Sequence, residues 1–541
     1  MNATFTGLHA LDDRLPDWST RGREVEAAEM RRVRDELTDS SNPTIAQLRS
    51  DPHALDTELA RANLDVRLAE HESGVFHARN PALWTGEAIF SVVGLMIRDF
   101  APLRERVRSL TARLEAIPSF LDALPGTIVD PVPEAWLARA RRECDVADGL
   151  FDHGLRDWLG TEDVDPATVN LITAAAAHTR AAFARIAVWA DAHARAAESA
   201  YAAGDGLFGT LLQRGHYCRE SARDLLARAH AELPVEQDRL AAMIAEHGGS
   251  WAAVTEAMAV DHPSANAFYD RFEQRWNECR RIATAHDAVT WADWPIRYVP
   301  IPAWAQPFAP QLYWLFYRSP APFDPYDVYD YVVTPVEPTL PAVEQERRLR
   351  AWNNSTITLN HVVHHGAVGH HVQNWHARHR SRSRIGRIAA TDCASRIGMF
   401  LGGSMAEGWA CYATHLMEEL GMFTPLERLS EQHTRVRMLA RAIVDIRLHL
   451  GIATFSECVQ YYQDVVGMSP EVAAAETTKN SMFPCTALMY WLGTGQILAL
   501  RERRRTTLGS GFVLRTFHDE LLSRGAIPVA LAATLMTETP A

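Results

Sequence analysis

Lysine is nearly absent from this 541-residue chain: of 54 basic residues only Lys479 is a lysine, which leaves 53 arginines. Such a bias fits a GC-rich coding sequence, and the residue that persists against it is a candidate for chemistry. Cysteine is also scarce. The seven cysteines (Cys144, Cys218, Cys279, Cys393, Cys411, Cys458 and Cys485) never form a C-x-x-C pair. That excludes a disulfide framework and a structural zinc knuckle, and leaves them as small core residues. No apolar run reaches the roughly 18 residues of a spanning helix, since the longest, around 88–97, stops at Arg98. The segment MNATFTGLHALDDRLP has no basic region followed by an apolar stretch, so no secretory signal is expected. These absences predict a soluble, cytoplasmic protein with no membrane partner. Positive charge is lacking too. The formal net charge is -13, and the short arginine clusters at 378–387 and 501–505 read as solvated helix faces, which argues against nucleic acid.

What is present belongs to a globular protein: 47% hydrophobic and 22% charged residues, with no internal repeat and no low-complexity linker. One domain over 1–541 is expected, mainly α, with two helical lobes around a central cleft. From about 20 to 290 the chain reads as helix after helix. VRSLTARLEAIPSFLDAL is typical, with apolar residues three and four apart and proline or glycine at the ends. Between 295 and 338 prolines interleave with aromatics, which predicts a small sheet and ordered loops. Tyr313, Trp314, Phe316 and Tyr317 in that stretch are core fillers or cleft lining. Helical periodicity returns over 344–541, interrupted at Gly402-Gly403, Gly421 and Gly509-Ser510-Gly511.

The densest chemical signal is LNHVVHHGAVGHHVQNWHARH, which carries His361, His364, His365, His370, His371, His376 and His379. Each imidazole needs a polar partner, and neutral imidazole is the commonest metal ligand, so the cluster predicts a metal site. His376 and His379 fit a solvent-facing helix equally well. On a regular helix His361 and His365 lie four apart and about 6 Å along the axis, a chelating pair with His364 adjacent. His371 shares the His364 face, but about 10 Å separates the two along a straight helix. Gly366 and Gly369 permit a distortion that would bring the later histidines back. Spacing leaves both ligand sets open.

Four ordered motifs resemble the bacterial zincin-like family labelled domain of unknown function 885, whose signatures read approximately HExxPGHHLQ, EGWALYAE, ExxRYxxxPxQxxxY and FHDxLLxxGxxPL. They correspond here to His364 through Gln373, Glu407 through Thr414, Glu476 through Tyr490, and Phe517 through Leu522 with Gly525 and Pro528. The helical first half, with NPALW and RVRSLTARLEAIPSFLDAL, is also similar. The resemblance implies a zincin-like helical fold around one divalent transition metal, zinc first, with iron or manganese as alternatives. It implies His364, His370 or His371, and Glu407 as ligands, a set with positions open for substrate. Glu407 alone would read as a favourable charge at a helix start.

The departures are informative. In a zincin peptidase the glutamate after the first histidine is the general base, and here it is His365, an imidazole that can shuttle a proton or join the metal. Thr414 replaces the second glutamate of EGWALYAE. Lys479-Asn480 replaces the arginine-tyrosine pair of the third motif, whereas Tyr490 matches. Lys479 and Tyr490, with His365, are therefore the expected catalytic residues, and ordinary peptide hydrolysis is not expected. The leading expectation is a metal-dependent enzyme of specialised metabolism that acts on a small amino-acid-like or peptide-like substrate by hydrolysis, or by a related lyase or rearrangement step. Two alternatives stand beside it: a non-haem iron oxygenase with a two-histidine-one-carboxylate site, and a non-catalytic metal-binding or regulatory protein derived from a peptidase.

Overall fold

A computed structural model of the chain describes residues 2–38, 43–247, 249–291, 293–312, 321–324, 329–390 and 398–536. Tyr313, Trp314, Phe316 and Tyr317, and likewise Cys393, lie outside the described residues. The principal helices of the first half are α1 (Pro52–Ser73), α2 (Pro81–Met96), α3 (Leu103–Asp122), α4 (Glu134–Gly149), α5 (Pro166–Ala192), α6 (Ala222–Glu246) and α7 (Phe268–Ala285). Local chemistry sets their ends. Asp51, Asn80 and Asp165 cap α1, α2 and α5 through their side chains, each followed by a proline in the first turn, where its missing N–H costs nothing. α2 is buried on nearly every face, and its Trp84 joins Leu110, Trp136, Trp158 and Phe183 in one apolar core.

Among the described residues, the sheet expected over 295–338 is one parallel pair, β1 (Ile296–Pro300) and β2 (Tyr329–Val333), in register from Ile296 opposite Tyr329 to Pro300 opposite Val333. β2 buries Tyr331 and Val333 against a second core, which includes Phe268, Phe272, Trp352, Trp409 and Tyr412. The chain continues with α8 (Ile357–Gly366), α9 (His370–His379), α10 (Gly403–Glu419), α11 (Pro425–His449), α12 (Phe455–Val466), α13 (Pro470–Met482), α14 (Met489–Leu508) and α15 (Leu514–Leu522); α8, α9, α10, α14 and α15 line this second core, whereas α11, α12 and α13 pack into the first. α8 is wound as a π-helix, with bonds reaching five residues back. α10 and α14 cross at backbone contact. A Cβ on Gly408 would stand 2.6 Å from Gly493, and one on Gly493 would stand 2.0 Å from the Ser404 carbonyl. This crossing sets the position of Glu407.

Candidate metal centre

The histidine-rich segment is not one straight helix. The π-helical α8 ends at Gly366, the chain turns through 367–369, and α9 starts afresh at His370. The turn requires glycine by close approach. A Cβ at Gly366 would lie 2.1 Å from the Tyr298 hydroxyl, and one at Gly369 only 1.8 Å from the His364 carbonyl oxygen. Folding Gly369 onto the backbone of His364 brings His370 beside His364, across a gap that a straight helix would leave open.

His364 Nε2 and His370 Nε2 lie 3.3 and 3.6 Å from the same carboxylate oxygen, Glu407 Oε2. His365 joins them: one ring nitrogen from each of His364, His365 and His370 falls within 4.8 Å of the other two. The Asn360 carbonyl, 2.7 Å from His365 Nδ1, can only accept a hydrogen bond, so Nδ1 carries the proton and Nε2 the lone pair. Gln373 Oε1 lies 3.3 Å from His370 Nδ1. Burial pushes His364 below the usual histidine range, partly opposed by Glu407; burial and the neighbouring His364 and His370 hold His365 well below it. Burial works against the Glu407 carboxylate, but the His364 and His370 rings beside it keep it well below the usual carboxylate range. Neutral imidazoles facing an ionised carboxylate are the protonation state that metal binding needs.

His371 is placed elsewhere. It is fully buried, with Nε2 3.0 Å from the Trp294 carbonyl and its ring against Trp294 and Tyr329, so of the two candidates only His370 meets Glu407. His361 stacks on Trp352 at 4.2 Å and pairs with the Tyr331 hydroxyl at 2.6 Å, which aligns α8 on β2. Of the two histidines for which a solvent-facing helix was the alternative, His376 is buried with Nε2 3.0 Å from the Thr290 carbonyl, whereas His379 is exposed.

Lys479 and Tyr490 line a cavity of about 600 Å³, together with Asn480, Arg441, Met399 and Phe90. Among the described residues its wall does not include His364, His365, His370 or Glu407. Arg441 links the two regions. It lies 4.2 Å over the Tyr490 ring, pairs with Glu476 at 2.9 Å, and its charge acts on His364 and Cys411. Nothing in the sequence distinguished Arg441 among 53 arginines. Thr414, where a glutamate was expected, donates to Glu431 of α11 at 3.0 Å, and burial pushes that carboxyl up to about 7.

A model of a bacterial protein family of unknown function, DUF885, matches residues 1–536. The chain belongs to this family. Two solved structures share the fold of this DUF885 chain. One is a protein of unknown function from Shewanella oneidensis described as a candidate lipoprotein, at 19% identity and TM-score 0.77, covering 99% of this chain and 96% of that one. The other is a candidate lipoprotein from Colwellia psychrerythraea, at 17% identity and TM-score 0.76, covering 98% and 94%. No functionally curated protein matches the chain. In the DUF885 chain the remaining motif residues are ties. Trp409 Nε1 donates to the Val368 and Gly369 carbonyls at 2.8 and 3.2 Å, which clamps the bend to α10. Tyr412 donates to His518 Nε2 at 2.7 Å while His518 Nδ1 donates to the Ala288 carbonyl at 2.6 Å, and Asp519 accepts from the Thr290 backbone N–H at 2.9 Å. The C-terminal motif thereby fixes the segment after α7 beneath the centre.

Proposed function

We propose that the protein is a metal-dependent enzyme of the zincin-like type that acts on a small amino-acid-like or peptide-like molecule, by hydrolysis or a related lyase or rearrangement step. One observation carries the reading: imidazole nitrogens from two helices converge on a single Glu407 oxygen at 3.3 and 3.6 Å. Two ligand atoms about 2.1 Å from one ion stand about 3.0 to 3.4 Å apart at octahedral and tetrahedral angles, so these separations fit a shared divalent transition metal. His364, His370 and Glu407 would hold it, and the ion would supply Lewis-acid polarisation of a substrate carbonyl.

The cavity supports a small substrate, because about 600 Å³ lies within the range of small-molecule sites. Its wall is apolar through Phe5, Trp18, Leu83 and Phe90 and also carries Lys479, Asn480 and Tyr490. Lys479 would pair with a substrate carboxylate, and Tyr490 Oη would donate to a developing oxyanion. The glutamate base of a peptidase is replaced by an imidazole, so proteins and ordinary peptides are not the substrate. The same replacement favours a second reading, a non-haem iron oxygenase, which shares the two-histidine-one-carboxylate donor set. The six cysteines among the described residues are free thiols, which fits the cytoplasm as the compartment. The test is elemental analysis of protein purified without added metal, followed by assay on a panel of dipeptides and N-acyl amino acids. About one ion per chain is expected, with occupancy at least about tenfold lower in His364→Ala and Glu407→Ala. Full metal content in both variants would remove the proposed site.

A further inference from the structure

We infer that His365 is a fourth protein ligand, so that the centre is a three-imidazole-one-carboxylate site built for an ion that takes five or six ligands, such as manganese, iron or cobalt, and not for four-coordinate zinc. The inference rests on the metal-enzyme reading above. It begins from the placement of three ring nitrogens, on His364, His365 and His370, within 4.8 Å of one another. Atoms bound to opposite sides of one ion are about 4.2 Å apart and adjacent ones about 3 Å, so three nitrogens within 4.8 Å of one another can reach one ion by small side-chain adjustments.

The His365 ring is oriented for ligation. Its Nδ1–H is tied to the Asn360 carbonyl of its own helix at 2.7 Å, the kind of outer partner that fixes tautomer and ring direction in metal-bound histidines. Nε2 then carries the lone pair. The wider winding of α8 brings consecutive histidines to one place, with the His364 and His365 ring centroids 4.6 Å apart and His370 5.0 and 5.3 Å from them. A general base needs space before its nitrogen for the water that it deprotonates. The His364 and His370 rings, 4.6 and 5.3 Å from that of His365, compete for that space, so the residue that replaces the expected glutamate is assigned to the ion and not to the proton transfer.

Coordination number then selects the metal. Four protein ligands around a tetrahedral ion close the site, which is the arrangement of structural zinc. Six-coordinate ions held by the same four groups keep two positions open. The cluster opens to solvent, since the His364 and His370 side chains retain 14 and 12% exposure, and an open site is what a substrate requires.

The experiment uses the full-length protein, stripped of metal and reloaded with Co(II), Mn(II) or Zn(II). For the wild type, Co(II) is expected to give the weak visible absorption of a five- or six-coordinate ion. His365→Ala should weaken Mn(II) and Co(II) binding at least about 100-fold, as loss of a direct ligand exceeds the 10- to 100-fold cost of losing an outer partner. His365→Gln keeps a donor for the Asn360 carbonyl and serves where the alanine variant does not fold. A measurement on the wild type alone completes the test: pulsed EPR of the Cu(II)-loaded protein should count three coupled imidazoles. Two imidazoles, unchanged Kd in both variants, or the intense absorption of four-coordinate Co(II) would overturn His365 as a ligand while leaving the metal site intact. Failure of the wild type to bind any of these ions would instead overturn the reading on which it rests.

Discussion

Exchanging the roles of two adjacent histidines tests the whole site. His370→Ala removes a nitrogen 3.6 Å from Glu407 Oε2, and the ring it deletes is 12% exposed at the edge of the cleft. Metal affinity should fall by more than about 100-fold, or about 2.7 kcal/mol of binding, because a direct ligand is lost. Stability of the metal-free protein should change by less than about 1 kcal/mol, because removing one of three crowded imidazoles relieves a desolvation cost. His371→Ala should do the reverse. Its ring is fully buried, and its loss leaves a cavity and the Trp294 carbonyl without this donor. A cavity of that size costs about 2 to 4 kcal/mol and the orphaned carbonyl about 1 to 3, so unfolding should come several degrees earlier. Metal affinity should stay within about threefold of the wild type. Competition against a fluorescent chelator gives the first quantity, and thermal unfolding of the metal-free proteins gives the second. If His371→Ala loses the metal while His370→Ala keeps it, α9 starts in a different rotation and the site is built wrongly.

Three further outcomes follow from other parts of the structure. Gly369→Ala forces a Cβ to within 1.8 Å of the His364 carbonyl, so it should lose metal binding and more than about 3 kcal/mol of stability, whereas Gly160→Ala, with nothing near its Cβ, should be neutral by thermal unfolding and metal titration. Lys479→Ala should lower kcat/KM on the true substrate by at least about 100-fold with an unchanged Tm, and Lys479→Arg should recover it only partly, since a guanidinium is not a compact, titratable ammonium; wild-type kinetics in Lys479→Ala would remove the role. Burial pushes His361 and His415 down to about 3 and His216, His371, His449 and His518 down to about 4, so these six are neutral in the fold and protonate on unfolding below about 6.5. Their stability is present above that value and lost as pH falls, whereas Glu431 and Asp445, pushed by burial up to about 7, act in the opposite sense. The net uptake of roughly four protons near pH 5.5 should steepen the loss to about 5 kcal/mol per pH unit, and a flat Tm from pH 7 to 5 would contradict the burial of these rings.

The helices were legible because their signals are local. Asp51, Asn80 and Asp165 before prolines, and Thr424 and Ser469 ahead of α11 and α13, cap helices through contacts within three residues. The change of texture after Pro295 likewise marked the strand pair β1 and β2. The histidine cluster and the need for distortion at Gly366 and Gly369 were legible too, because ten ångströms along a straight helix cannot be reconciled with one ion. What spacing could not show was the rotation with which α9 restarts. Neighbouring residues on a helix point about 100° apart, so a turn of unknown shape leaves His370 and His371 equivalent until the chain is traced onto the His364 carbonyl.

The remaining unread features depend on contacts distant in sequence. Arg441 reaches Tyr490 and Glu476 from another helix, and Glu431 places a carboxyl at Thr414 from seventeen residues on. A motif read position by position does not show that the carboxyl of Glu431, from the next helix, stands at Thr414. The same reasoning bears on Lys479-Asn480. Asn480 is turned to the Tyr462 hydroxyl and its carbonyl to His449, so it belongs to the packing of α11, α12 and α13, whereas Lys479 on the cavity wall stands with Arg441 and Tyr490. Lys479 and Arg441 line that wall together with Tyr490, and both cations act on the Glu476 carboxylate. Changing the lysine therefore alters the reactivity available at the wall more than its sign, and this is why the arginine variant separates charge pairing from proton transfer.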